Sequence, residues 1–142
     1  MNFAPFYEFF EEMFGMFDND FSIIFQTLFT KGGYNDMGWI LLGIPLVFLG
    51  LFYFLWKYPY HTKLHYWLYL GFIALIVGVV TFSSVNLTLA NFLVHTNPLF
   101  VEFTEGLILF YAILNACLSI LVSYIFSLGL RLKSKVQKHL PH

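Results

Sequence analysis

Residues 105–131 read EGLILFYAILNACLSILVSYIFSLGLR: one acid, then positions 106–130 without a charged side chain, then Arg131. A bilayer's hydrocarbon core takes about 20 apolar residues in a helix, so this stretch is long enough to cross one. Two more stretches upstream have the same character. Residues 37–56 lie uncharged between Asp36 and Lys57, and a second apolar run follows Lys63 through Val85. Of 142 residues, 59% are hydrophobic and 11% charged, against about a quarter charged in a soluble domain. The expected fold is an all-α integral membrane protein, a single membrane domain over residues 1–142 with three transmembrane helices. Beside three crossings the length leaves no room for a separate catalytic domain.

The few charges are sorted by position. Glu8, Glu11, Glu12, Asp18, Asp20 and Asp36 precede the first crossing, and Glu102 and Glu105 precede the third. Lys57 and Lys63 lie between the first two crossings, and Arg131, Lys133, Lys135 and Lys138 follow the third; Lys31 alone falls with the acids. With three crossings these groups occupy opposite sides. The positive-inside rule then predicts an outer (periplasmic) N-terminus and a cytoplasmic C-terminus, with 133–142 as a basic cytoplasmic tail near anionic lipid. Phe52, Tyr53, Phe54, Trp56, Tyr58, Tyr60, Tyr66, Trp67 and Tyr69 are expected as an interfacial aromatic belt around the basic turn. Pro45 sits within the first crossing, where neighbouring helices tolerate it.

Ahead of the first crossing, residues 1–33 are expected as an amphipathic interfacial segment. Apolar residues recur at Phe3, Phe6, Tyr7, Phe10, Met13, Phe14, Phe17, Phe21, Ile24, Phe25 and Leu28, the three- and four-residue spacing of one helical face. Glu8, Glu11 and Glu12 fall elsewhere on that helix, on its expected polar surface. Asp18-Asn19-Asp20 is a candidate break, with Asp20 capping a second short helix. Surface-binding helices are usually basic and this one is acidic, so anionic lipid does not hold it down. Nine of the 19 phenylalanines lie here. They either pack on the bundle in the headgroup region or form a docking surface, for which Phe6, Phe10, Phe14, Phe17 and Phe21 are the candidates.

The second and third crossings read as one long hairpin, residues 64–94 and 98–132, joined by a turn at His95–Asn97. Asn97 followed by Pro98 is a helix-start signal, and Glu102 and Glu105 suit the helix dipole there. At 1.5 Å per residue the third helix is about 50 Å long, so the hairpin is expected to project on the outer side. Leu87, Leu89, Phe92, Leu93, Leu99, Phe100 and Phe103 load that projection with apolar side chains, and Phe92 and Phe100 join the candidate partner contacts. Register about the turn pairs Gly71 with Ser123, Ala74 with Ser119, and Gly78 with Asn115. Tyr111, Asn115, Ser119, Ser123 and Ser127 recur every fourth residue and form a polar ridge. Helices in lipid associate through close approach at small residues and through interhelical hydrogen bonds, so the small face and the ridge are expected to meet. The other reading of the ridge is a pore lining in an oligomer.

Chemistry-bearing motifs are sparse. No Asp, Glu, Lys or Arg lies within the three crossings, which speaks against an intramembrane proton relay, coupling carboxylate or voltage sensor. His65 and His95 fall at opposite ends, so they cannot share a haem. His61 and His65 are four apart but lack a supporting carboxylate. Ser83-Ser84 has no base nearby in sequence, and Asn86-Leu87-Thr88 is a chance-prone glycosylation match. Cys117 reads as a packed thiol, no cleavable signal peptide is expected, and the net charge of -1 gives no case for nucleic acid. No enzyme, metal or cofactor is expected.

The leading expectation is a non-catalytic inner-membrane subunit, an anchor, scaffold or accessory chain, with the lipid bilayer, other membrane subunits or copies of itself as partners. In topology alone, three crossings in a short chain with an outer N-terminus and a basic cytoplasmic tail, it resembles class I phage holins. That resemblance implies a homo-oligomeric pore or membrane-disrupting effector; the long acidic Phe-rich prefix departs from the pattern. A small transporter is disfavoured, because the chain lacks intramembrane charge and two similar halves.

Overall fold

A computed structural model describes residues 2–15, 22–54, 63–92 and 101–133, and every regular element among them is a helix. In chain order these are α1 (Ala4–Met13), α2 (Ser22–Thr30), α3 (Gly33–Phe54), α4 (Lys63–Phe92) and α5 (Val101–Lys133). Gly33–Phe54, Leu64–Phe92 and Glu105–Leu130 are each long and apolar enough to cross a membrane. The hairpin turn expected at His95–Asn97, the break at Asp18–Asp20 and the tail beyond Lys133 lie outside the described residues.

Helix α3 begins at Gly33, four residues ahead of the expected boundary. Gly32 has φ +77°, a left-handed conformation that costs glycine little, and it lets the chain leave α2 and re-enter a helix at once. Asp36 then falls in the first turn of α3, where a carboxylate complements the helix dipole. Pro45 lies inside α3 and is buried, and the helix continues through it despite the missing N–H.

Helices α4 and α5 pack most extensively, and α3 lies against both. The core divides along the bundle. At one end Ile24 and Leu28 of α2 and Tyr7 of α1 close over Met37, Val85, Leu89, Ile108 and Tyr111. At the other, Leu49, Phe52 and Tyr53 meet Tyr66, Leu70, Ile73 and Val77. Three aromatics expected in the belt, Phe52, Tyr53 and Tyr66, are therefore core residues, whereas Phe54 and Trp67 are exposed. Two belt tyrosines find internal partners for their hydroxyls: Tyr66 Oη donates to Ser127 Oγ at 2.8 Å, and Tyr69 Oη to the Phe48 carbonyl at 2.9 Å.

The N-terminal segment departs furthest from expectation. Helix α1 stops at Met13, and Gly15 follows with φ +67°. Its inward face is Ala4, Tyr7 and Glu11, while Phe6, Phe9, Met13 and Phe14 are exposed. The helix is thus rotated from the orientation its hydrophobic stripe implies, and Glu11, expected on the polar surface, is 0% exposed. Buried hydrogen-bond partners for Tyr7 and Glu11 outweigh the apolar pattern.

Candidate functional site

The buried face of α1 enters a polar network that joins α1, α3, α4 and α5. Asn115 of α5 is its centre. Its Oδ1 accepts from Tyr7 Oη at 2.8 Å, and its Nδ2 donates to the Met37 carbonyl at 3.2 Å and to Thr81 Oγ1 at 3.0 Å. Both Asn115 and Thr81 are 0% exposed, so these bonds are made away from solvent.

One turn along α5, Tyr111 donates to Glu11 Oε1, and Tyr34 of α3 donates to the same oxygen at 2.7 Å. The rings form a cluster: Tyr7 stacks on Tyr34 at 5.8 Å between centroids, and Tyr111 stands edge-on to both at 6.3 Å. Phe3 fastens the start of α1 to α3. Its backbone N–H donates to Asn35 Oδ1 at 3.0 Å, and its ring fills the space that a Cβ on Gly38 would occupy.

Glu11 is thereby placed where a free carboxylate is costly. Burial pushes its pKa up from the ordinary value of 4.5; hydrogen bonds from Tyr111 and Tyr34 offset part of the rise, and the neighbouring Glu8 adds to it. Oε2 of Glu11 has no hydrogen-bond partner among the described residues. Burial likewise raises the Tyr7 hydroxyl, partly offset by its bond to Asn115. Beside Glu11 lies a cavity of about 330 Å³ lined by Glu8, Glu11, Phe25, Gln26, Phe29 and Tyr34. A carboxyl so placed can hold a proton.

The polar ridge of α5 faces the chain's own helices. Tyr111, Asn115, Ser119, Ser123 and Ser127 are all 0% exposed. Ser119 Oγ and Ser127 Oγ each donate back to a carbonyl three residues earlier, at 2.7 Å, while Ser123 Oγ has no partner among the described residues. On α4, Ala74 is buried, and a Cβ on Gly78 would lie 3.4 Å from the Ala112 carbonyl oxygen and from Ala116 Cβ. Gly71, expected against Ser123, is exposed instead, with nothing within 4 Å of where its Cβ would stand. At that end Leu70 and Ile73 are the buried residues, and these larger side chains, not Gly71, form the contact face of α4.

Of the candidate partner contacts, Phe6 and Phe14 are exposed and Phe10 is half-buried, with its ring edge-on to Phe6 at 5.2 Å. Phe92 is exposed, and the Lys31 ammonium lies 4.3 Å from its ring centre. Phe17, Phe21 and Phe100 lie outside the described residues. Sequence reasoning missed Glu11, Tyr7 and Tyr34 as site residues, whereas Thr81 continues the small face of Gly71, Ala74 and Gly78. The one available signal was Ala4, Tyr7 and Glu11 at helical spacing, a small residue and two hydrogen-bonding ones sharing a face among phenylalanines.

Among the described residues, no group of three or more His, Cys, Asp or Glu is placed to hold a metal ion, and Cys117 is exposed. Fold and site together define an all-helical protein whose three long apolar helices are compatible with a membrane, with a carboxyl–tyrosine–amide network between them. No family model, curated protein or solved structure matches the chain.

Proposed function

We propose that this chain is a multi-pass inner-membrane protein, N-terminus outside and C-terminus cytoplasmic, acting as a non-catalytic anchor, scaffold or accessory subunit of a larger membrane complex. The observation that carries this reading is the way α1 is held. Tyr7 and Glu11 fix it to α3 and α5 through buried hydrogen bonds, and its Phe6, Phe9, Met13 and Phe14 side chains then face outward. A helix that merely rests in lipid takes its rotation from its apolar face, so fixing that rotation by burying a glutamate is an expensive extra. A helix that presents aromatic side chains to a partner does need it, because contact surfaces draw their strength from rigid, well-placed aromatics.

The buried ridge supports this reading over an oligomeric pore. A pore needs polar side chains at the subunit boundary, and Tyr111, Asn115, Ser119 and Ser123 are covered within one chain. Site-specific photocrosslinking in intact membranes tests the proposal. A benzophenone side chain at Phe9 or Met13 should give discrete protein adducts, and one at Leu75, an exposed residue of α4, serves as the lipid-facing control. Adducts to lipid alone at all three positions would sink the subunit reading.

A further inference from the structure

The burial of Glu11 ties its charge to the position of α1. Tyr34 and Tyr111 both donate to Oε1, while Oε2 is closed to solvent and has no hydrogen-bond partner among the described residues. Two hydroxyl donors on Oε1 leave Oε2 as the oxygen that carries the proton. Ionised in place, the carboxyl would keep a bare oxygen away from water, which costs far more than burying the neutral acid. Its surroundings do not compensate. Glu8 of the same helix adds a like charge, and α2 sets Phe25, Gln26 and Phe29 nearby, with no titratable group anywhere in Ser22–Thr30. From α3 and α5 the tyrosine hydroxyls reach it; the Tyr7 hydroxyl is turned to Asn115, and Lys31, Asp36 and Glu105 are exposed.

The attachment of α1 is also local. It is ten residues long, its buried face is Ala4, Tyr7 and Glu11, and Phe6, Phe9, Met13 and Phe14 are exposed. Helices this short are marginal unless packed. The long helices, by contrast, hold one another along apolar faces that α1 does not touch, such as Leu49, Leu70, Ile73 and Val77. A weakly attached element opens before the rest of a fold. We infer that Glu11 is a proton-operated latch: protonated, it holds α1 against α3 and α5, and loss of the Oε2 proton to water releases α1 while the three long helices stay together. Release is what brings water to the carboxylate, so ionisation and undocking are one event. Docking is therefore strongest below the ordinary glutamate value of 4.5 and weakens as pH rises. The latch works with or without a partner on the outward face of α1.

Double electron–electron resonance on the full chain in nanodiscs tests the inference. In a Cys117→Ala background, spin labels on Phe9→Cys and Ile125→Cys report the position of α1, and labels on Leu68→Cys and Ile113→Cys report the bundle; all four sites are exposed. The series runs from pH 4.5 to about pH 9, the upper range documented for buried glutamates. The otherwise unaltered chain should pass from one narrow Phe9–Ile125 distance to a broad distribution in at least half the molecules, with the Leu68–Ile113 distance unchanged. Glu11→Gln keeps an oxygen acceptor for both tyrosines and has no proton to lose, so it should hold the narrow distance throughout. Tyr34→Phe keeps the carboxyl but removes one hydrogen bond of the docked state, and should release α1 at lower pH. A narrow Phe9–Ile125 distance across the whole range without these changes, or broadening of both label pairs together, overturns the inference. So does a Glu11→Gln chain that releases α1 at any pH in the series, or a Tyr34→Phe chain with an unshifted midpoint.

Discussion

Replacing Asn115 with leucine should be the most damaging single change in the bundle. The side chain makes three hydrogen bonds, to Tyr7, Met37 and Thr81, and so ties α1, α3 and α4 to α5. Interhelical hydrogen bonds in membranes average about 0.6 kcal/mol and reach about 1.7, so three contribute roughly 2–3 kcal/mol. Leucine keeps the branched shape but is larger, removes those bonds, and also strands the buried Tyr7 hydroxyl, which adds about 1–3 kcal/mol. A total near 4 kcal/mol follows. Reversible unfolding of the full chain in mixed micelles, followed by far-ultraviolet circular dichroism, measures it. Tyr7→Phe removes the stranded hydroxyl, so the double variant should recover about 1 kcal/mol or more relative to the sum of the two single changes. A loss below about 1 kcal/mol for Asn115→Leu, or strict additivity with Tyr7→Phe, would refute the network's role in holding the helices together.

Three further outcomes are expected. The raised pKa of Glu11 means that the folded state holds its proton more tightly than the unfolded chain. Stability should therefore fall as pH rises from the ordinary glutamate value of 4.5 through the folded value, and then level off. Glu11→Gln should flatten that profile in thermal melts taken across pH, and an unchanged slope in the variant would count against the assignment. The two glycines of α4 should behave oppositely. Gly71→Ala has open space and should gain up to about 1 kcal/mol from helix propensity, while Gly78→Val should push α4 from α5 and lower the melting temperature. In a Cys117→Ala background, cysteine at Glu12 should react with a membrane-impermeant maleimide on intact cells and cysteine at Lys135 should not. The reverse pattern would invert the proposed orientation.

The relation between sequence and structure is uneven along the chain. Gly33–Phe54, Leu64–Phe92 and Glu105–Leu130 were legible because a run of 20 or more uncharged apolar residues has few alternatives to a long helix. Their pairing was partly legible as well. Ala74, Gly78 and the ridge from Tyr111 to Ser123 lie between helices, since small and hydroxyl-bearing residues at four-residue spacing leave a recognisable face. Gly71 shows the limit of that signal, because a small residue marks where close approach is possible and not where neighbouring bulk permits it.

The amino-acid sequence by itself determined the three long apolar helices, through the length of their uncharged runs. Its charge order led to the proposed direction of crossing. The position and rotation of α1 were decided only by tertiary structure. Its periodicity puts the phenylalanine stripe inward, yet Tyr7 and Glu11 face the bundle because Asn115, Tyr34 and Tyr111, distant in the chain, offer them hydrogen bonds there. The absence of charge from the three apolar runs was correct as a reading of those segments. It did not describe the assembled bundle, because a carboxyl carried on a fourth helix comes to rest against Tyr111, and the spacing of Ala4, Tyr7 and Glu11 does not say which distant residues receive them.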